Sequence, residues 1–139
     1  MKAKNINVIF DTNVWISFLI GKRLQMIQEY IADGNITIIT TEQLLTEIKD
    51  VAKRPKLKKY FPQNKVNELI EFLEIIGTKK EIQPSITLCK DTKDNFLLDL
   101  IESSNAHVLV TGDKELLKLN PFKETHIITP KQFEQFLIT

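Results

Sequence analysis

The stretch INVIFDTNVW, Ile6 to Trp15, decides how this chain is read. A run of β-branched and aromatic residues ends abruptly in Asp11, and after Thr12 and Asn13 apolar residues resume. "VIF" shows no polar alternation, so the strand it forms is expected to be covered on both faces, as in a parallel sheet. VLVTGD, Val108 to Asp113, has the same form: an apolar strand, then an aspartate just beyond its end. Ile36–Ile39 and Ile127–Ile128 read as further strands, with a weak one near Glu81–Ile82.

Helix-patterned segments lie between the strands. One or two helices cover about Val14–Ala32, another runs from Thr41 to about Lys53, and NKVNELIEFLEIIG gives a third that Gly77 closes. Further helices are expected over about Thr92–Ser104, Lys114–Lys118 and Lys131–Leu137. Pro55, Pro62, Pro84, Pro121 and Pro130 all fall between these elements, as helix interiors demand. Strands alternating with helices predict an α/β fold around a parallel sheet.

The bulk numbers bound the rest. A chain of 139 residues is expected to form a single domain over 1–139 with one core. One cysteine, Cys89, rules out an internal disulfide and fits a reducing, cytoplasmic setting. No apolar run reaches the length of a membrane span, and MKAKNINVIF lacks a signal-peptide cleavage pattern. Net charge is +1, so total charge points to no partner. Its distribution does: KRPKLKK, Lys53 to Lys59, holds five basic residues in seven. Such a patch suits a phosphate backbone and equally suits a solvated helix end.

In a parallel sheet, ligands bind outside the carboxyl ends of the strands. Asp11 and Asp113 both follow strands, so both belong to that edge. Helical phase adds two more acids. Leu44, Leu45, Ile48, Val51 and Ala52 form one apolar arc, and Glu47 falls at its rim, while Glu42 and Asp50 lie toward solvent. In DTKDNFLLDLIESSN, Asp94 falls in phase with Leu97, Leu98 and Ile101 on the buried face, while Asp99 and Glu102 point away. A carboxylate there is costly unless something positive meets it. Asp91, just ahead, is a cap, a further ligand or both.

Asp11, Glu47, Asp94 and Asp113 are hard oxygen donors with no His or Cys among them, which suits Mg²⁺ or Mn²⁺ and not Zn²⁺. Such sites bind substrate phosphates and support phosphodiester hydrolysis. Taken singly, each acid has a plainer reading: Asp11 and Asp113 as helix caps, Glu47 as a surface acid, Asp94 as a partner of the helix dipole. Asn13 and Thr12 would orient Asp11, or Asn13 would itself cap the next helix. His107 and His126 stand at strand starts, on the opposite edge. Trp15, Phe18 and Leu19 read as core or as a partner-facing stripe.

FDTNVWIS around Asp11, LLTEIKDVAKRP around Glu47, DTKDNFLLDL around Asp94 and VLVTGDKELL around Asp113 together resemble a PIN domain. The resemblance runs from Ile6 to the closing IITPKQFEQFL. Its nearest subgroup is the small prokaryotic VapC-like toxin proteins, in which RP with basic residues follows the second acidic helix. It implies a three-layer α/β/α sandwich with a central parallel sheet of about five strands. It also implies a Mg²⁺- or Mn²⁺-dependent ribonuclease. Asp11, Glu47, Asp94 and Asp113 would be its catalytic, metal-binding acids, Asp91 an auxiliary one, and Asn13 and Thr111 their polar neighbours. One departure stands out: small residues tend to follow the third acid along its helix, and here LLDLIESS is bulkier and more polar.

The resulting expectation is an endoribonuclease in which an activated water attacks phosphorus in line, leaving a 5′-phosphate and a 3′-hydroxyl. Asp11 and Asp94 are expected to hold the principal ion, with Glu47 and Asp113 completing the site. Lys53, Arg54, Lys56, Lys58 and Lys59 are candidates for gripping the RNA backbone. The resemblance adds an antitoxin partner, with the apolar stripe in Trp15–Leu24 as its docking surface, and a homodimer. The alternative is a catalytically weak PIN-fold module that binds RNA or protein. An aspartyl-phosphate phosphatase would want a second acid where Asn13 stands.

Overall fold

A computed structural model describes residues 5–20, 23–60, 62–82 and 95–138. Asp91, Asp94, Pro84 and Cys89 lie outside them, so the expectations placed on Asp91 and Asp94 have no structural counterpart here.

The elements run β1 (Ile6–Phe10), α1 (Thr12–Ile20), α2 (Arg23–Ala32), β2 (Ile36–Thr40), α3 (Glu42–Ala52), α4 (Pro55–Lys58), α5 (Gln63–Ile76) and β3 (Thr78–Lys79). They continue with α6 (Asn95–Ser104), β4 (Val108–Val110), α7 (Lys114–Leu117), β5 (His126–Ile128) and α8 (Pro130–Ile138). The five strands form one sheet in the order β3-β2-β1-β4-β5. Every neighbouring pair is parallel, as the two-sided apolar strands require. Val8, Ile9 and Phe10 of β1 and Val108, Leu109 and Val110 of β4 are all buried, and Phe10 lies opposite Val110.

Connectivity then sets the layers. The chain steps from β1 to β2 to β3 in one direction, crosses back to β4, and steps on to β5 in the other. Right-handed crossovers put α1–α5 on one face of the sheet and α6 and α7 on the other. In keeping with this, α1 packs on α2, α3 and α5, and α3 packs on α5. The order reverses between β1 and β4, so the crevice at their carboxyl ends is the topological switch point.

Helical phase holds well in α3, whose buried residues are Leu44, Leu45, Ile48, Val51 and Ala52. α5 buries Val66, Leu69, Ile70 and Leu73 and ends at Gly77. A Cβ at Gly77 would meet the Leu73 carbonyl oxygen at 2.5 Å and Thr40 Cγ2 at 3.0 Å, so only glycine lets the chain turn here to lie beside β2.

Two expectations need correction, and one short helix adds to them. The weak strand is Thr78–Lys79, not Glu81–Ile82; it is a short exposed edge with no apolar signal to read. A four-residue helix, α4, forms inside the basic run, with Pro55 at its start, where a missing N–H costs nothing. Asp99 does not point to solvent but is buried at 3% exposure. α6 is buried continuously from Asn95 to Ile101, so a phase rule that assumes one solvent-facing stripe fails for it. The bulk of LLDLIESS is accommodated: Leu98 and Leu100 are fully buried, and the Ser103 and Ser104 hydroxyls donate back to the carbonyls of Asp99 and Leu100.

Candidate active site at the carboxyl edge

Phe10 anchors the end of β1. Its ring meets Trp15, Phe18 and Phe133 edge-on, with centroids 5.0, 5.3 and 5.3 Å away. Trp15, Ile16 and Phe18 are therefore core, and the part of the proposed docking stripe that they form is not a surface. This cluster fixes where the next residue, Asp11, must emerge.

Asp11 is 6% exposed. Its backbone N–H continues the sheet ladder to Val110 O at 3.1 Å. Its Oδ1 accepts the Val14 N–H at 2.9 Å, so Asp11 caps α1. The cap expectation for Asn13 is thus corrected: α1 already begins at Thr12, and Asn13 is an exposed residue of its first turn. The other carboxylate oxygen of Asp11, Oδ2, accepts a hydrogen bond from the Thr111 hydroxyl across the switch point. The same Thr111 oxygen accepts the Asp113 N–H at 3.0 Å, which ties the ends of β1 and β4 together. Asp113 caps α7 by accepting the Glu115 N–H at 2.8 Å.

Burial pushes the Asp11 carboxyl above its ordinary range. The bonds from Thr111 and Val14 pull it down but do not outweigh burial, and the nearby Asp113 pushes it up again. Among the described residues, then, the groups around Asp11 are N–H and O–H donors and a second carboxylate, not a cation.

Asp11, Glu47 and Asp113 line one small pocket with Thr12, Phe96 and Leu97. Its volume is about 30 Å³, room for roughly one water or small ion and too little for an organic ligand. Three of the four acids singled out in the sequence are thus brought together. The fourth, Asp94, directly precedes α6, whose first turn supplies Phe96 and Leu97 to the wall. Among the described residues, no three His, Cys, Asp or Glu side chains stand close enough to hold a metal by themselves. The donor chemistry fits a hard divalent cation all the same: oxygen ligands only, one of them a buried carboxylate short of positive charge.

Other expectations fall elsewhere. His107 and His126 lie at the opposite edge, where His107 Nδ1 accepts the Asn7 N–H at 2.8 Å, a structural bond. Lys53, Arg54, Lys56, Lys58 and Lys59 are all exposed around α4, and Arg54 reaches a groove that Glu47 also lines. Sequence reasoning did not single out the Asp11–Thr111 bond from the residues themselves. Only the register pairing Phe10 with Val110 reveals it.

A family model described as "PIN domain" matches residues 7–115. The chain is also similar to the solved crystal structure of PAE2754 from Pyrobaculum aerophilum, with a TM-score of 0.62 at 16% identity. That match covers 96% of this chain and 90% of the other, and at such identity it speaks for the fold alone. No curated protein matches the chain. Among the described residues no helix is long and apolar enough to cross a membrane.

Proposed function

This chain belongs to the PIN-domain family, whose members are generally nucleases, and on that premise we propose that it is a metal-dependent endoribonuclease. The observation that carries the proposal is the pairing of Asp11 with Thr111 and Asp113 across the switch point, with Glu47 on the same pocket.

Asp11, Glu47 and Asp113, together with Asp94, would hold Mg²⁺ or Mn²⁺, with Asp91 auxiliary. A divalent cation bound there supplies Lewis-acid polarisation of a phosphodiester and makes water a nucleophile near neutral pH. The residues of the chain do the positioning. Thr111 clamps one oxygen of Asp11 and the Val14 N–H the other, so the carboxyl cannot rotate away. Asn13, exposed at the pocket wall, is a hydrogen-bond donor beside the same carboxylate. Lys53, Arg54, Lys56, Lys58 and Lys59 would meet the phosphates of the RNA backbone.

The test is cleavage of a labelled single-stranded RNA with and without Mn²⁺. Asp11→Asn and Asp94→Asn are each expected to abolish Mn²⁺-stimulated cleavage while circular dichroism remains native. Unchanged cleavage in both variants would end the proposal. A toxin role, with an antitoxin partner and a homodimer, rests on the sequence likeness to VapC-like proteins. It requires the active chain to arrest growth when expressed alone.

A further inference from the structure

α4 has no buried residue of its own, and Leu57 tethers it by packing partly against the core. Around it stand Lys53, Arg54, Lys56, Lys58 and Lys59, and among the described residues none of the five is in an ion pair. Lys79 shows the opposite arrangement: its Nζ lies 2.9 Å from both Glu42 and Glu74, a charge already spent. Tyr60 directly follows the basic segment and is 58% exposed. Lys59 Nζ sits 5.1 Å from its ring centroid. Of the large apolar side chains exposed among the described residues, Ile75 and Phe136 have no such setting. An exposed aromatic ring among cations that no carboxylate of the described residues neutralises is what a single strand needs: charge for its phosphates and a π surface for an unstacked base.

This surface connects to the acids. A groove of about 300 Å³ is lined by Gln43, Thr46, Glu47, Asp50, Val51 and Arg54. Glu47 also lines the acidic pocket, and Arg54, near the start of the basic segment, lies about two helical turns or 10 Å further along. Asp50 in the groove repels phosphate, and Arg54 offsets it at the end where the cations begin.

We propose that Tyr60 is a base-stacking platform for single-stranded RNA, and that Arg54 leads the strand from it into the groove beside Glu47. This deepens the nuclease reading and rests on it for the destination of the strand. The test is binding of a short labelled single-stranded RNA, followed by fluorescence anisotropy in EDTA, which stops metal-dependent cleavage. Tyr60→Ala is expected to bind about tenfold more weakly with an unchanged salt slope, and Tyr60→Phe within about twofold of the parent. Arg54→Ala is expected to weaken binding and reduce the salt slope by about 1. An RNA duplex, whose bases are already stacked, should bind the parent and Tyr60→Ala alike.

Parent-like binding by Tyr60→Ala overturns the proposal. So does a Tyr60→Phe variant as weak as Tyr60→Ala, or a parent chain that binds no single strand. Failure of the nuclease reading looks different: binding depends on Tyr60, yet added Mn²⁺ produces no cleavage.

Discussion

Asp11 and Asp113 occupy equivalent places and have unequal surroundings. Each follows a parallel strand, and each caps the helix after it, at 2.9 Å to Val14 N–H and 2.8 Å to Glu115 N–H. Asp113 is half-buried and near solvent, whereas Asp11 is buried and held between the Val14 N–H and the Thr111 hydroxyl. The difference teaches that capping a helix and belonging to a site are not alternatives. The cap sets where the carboxyl points, and burial decides how strongly it calls for a positive charge.

That comparison can be broken in several ways, beginning with the largest effect. Asp11→Asn keeps an acceptor for the Val14 N–H but removes the charge. Mn²⁺-stimulated cleavage is expected to fall more than about 100-fold, beyond what loss of an outer hydrogen bond gives. Asp113→Asn should cost less, about 10–100-fold, because its carboxyl is half-exposed. Equal losses in steady-state cleavage would remove the asymmetry.

Thr111→Val cuts the link between the two aspartates. It leaves the buried Asp11 carboxyl without its hydroxyl donor and the Asp113 N–H without its acceptor. A stability loss of about 1–3 kcal/mol by urea denaturation is expected, with cleavage down roughly tenfold. Asp113→Ala removes the cap of a four-residue helix and is expected to cost about 1 kcal/mol in the same assay.

The smallest effect is on pH dependence without metal. Burial holds the Asp11 carboxyl above its ordinary range, so the folded chain binds that proton more tightly than the unfolded chain. This contribution to stability is present at low pH and is lost as pH rises from the ordinary carboxylate range through the raised folded pKa. In EDTA at about pH 7, Asp11→Asn should therefore melt no lower than the parent, and any gap should close as pH falls. A gap that widens on acidification would show that Asp11 is stabilised as the anion.

Much of the frame was legible in the sequence because its signals are periodic. The four apolar strands, the buried arc of α3 and the rim position of Glu47 follow from spacing alone. What escaped has physical causes. Thr78 and Lys79 form an exposed edge strand held by its β2 partner and by Lys79 with Glu42 and Glu74, none of which leaves an apolar pattern. Asp99 lies on a helix buried all round, where no phase is the solvent phase. The Asp11–Thr111 bond joins residues a hundred apart, and its existence depends on strand register. The spacing from Asp11 to Val14 did carry the cap signal in the sequence itself.

The central claim, that the carboxyl edge built around Asp11 receives a divalent cation, is tested most directly by the thermal midpoint under Mn²⁺ titration. A ligand that binds only the folded state raises the midpoint with its concentration. The parent chain should show a saturable rise over the millimolar range, and Asp11→Asn should show none. A parent midpoint that does not move, or an equal rise in Asp11→Asn, would contradict the claim.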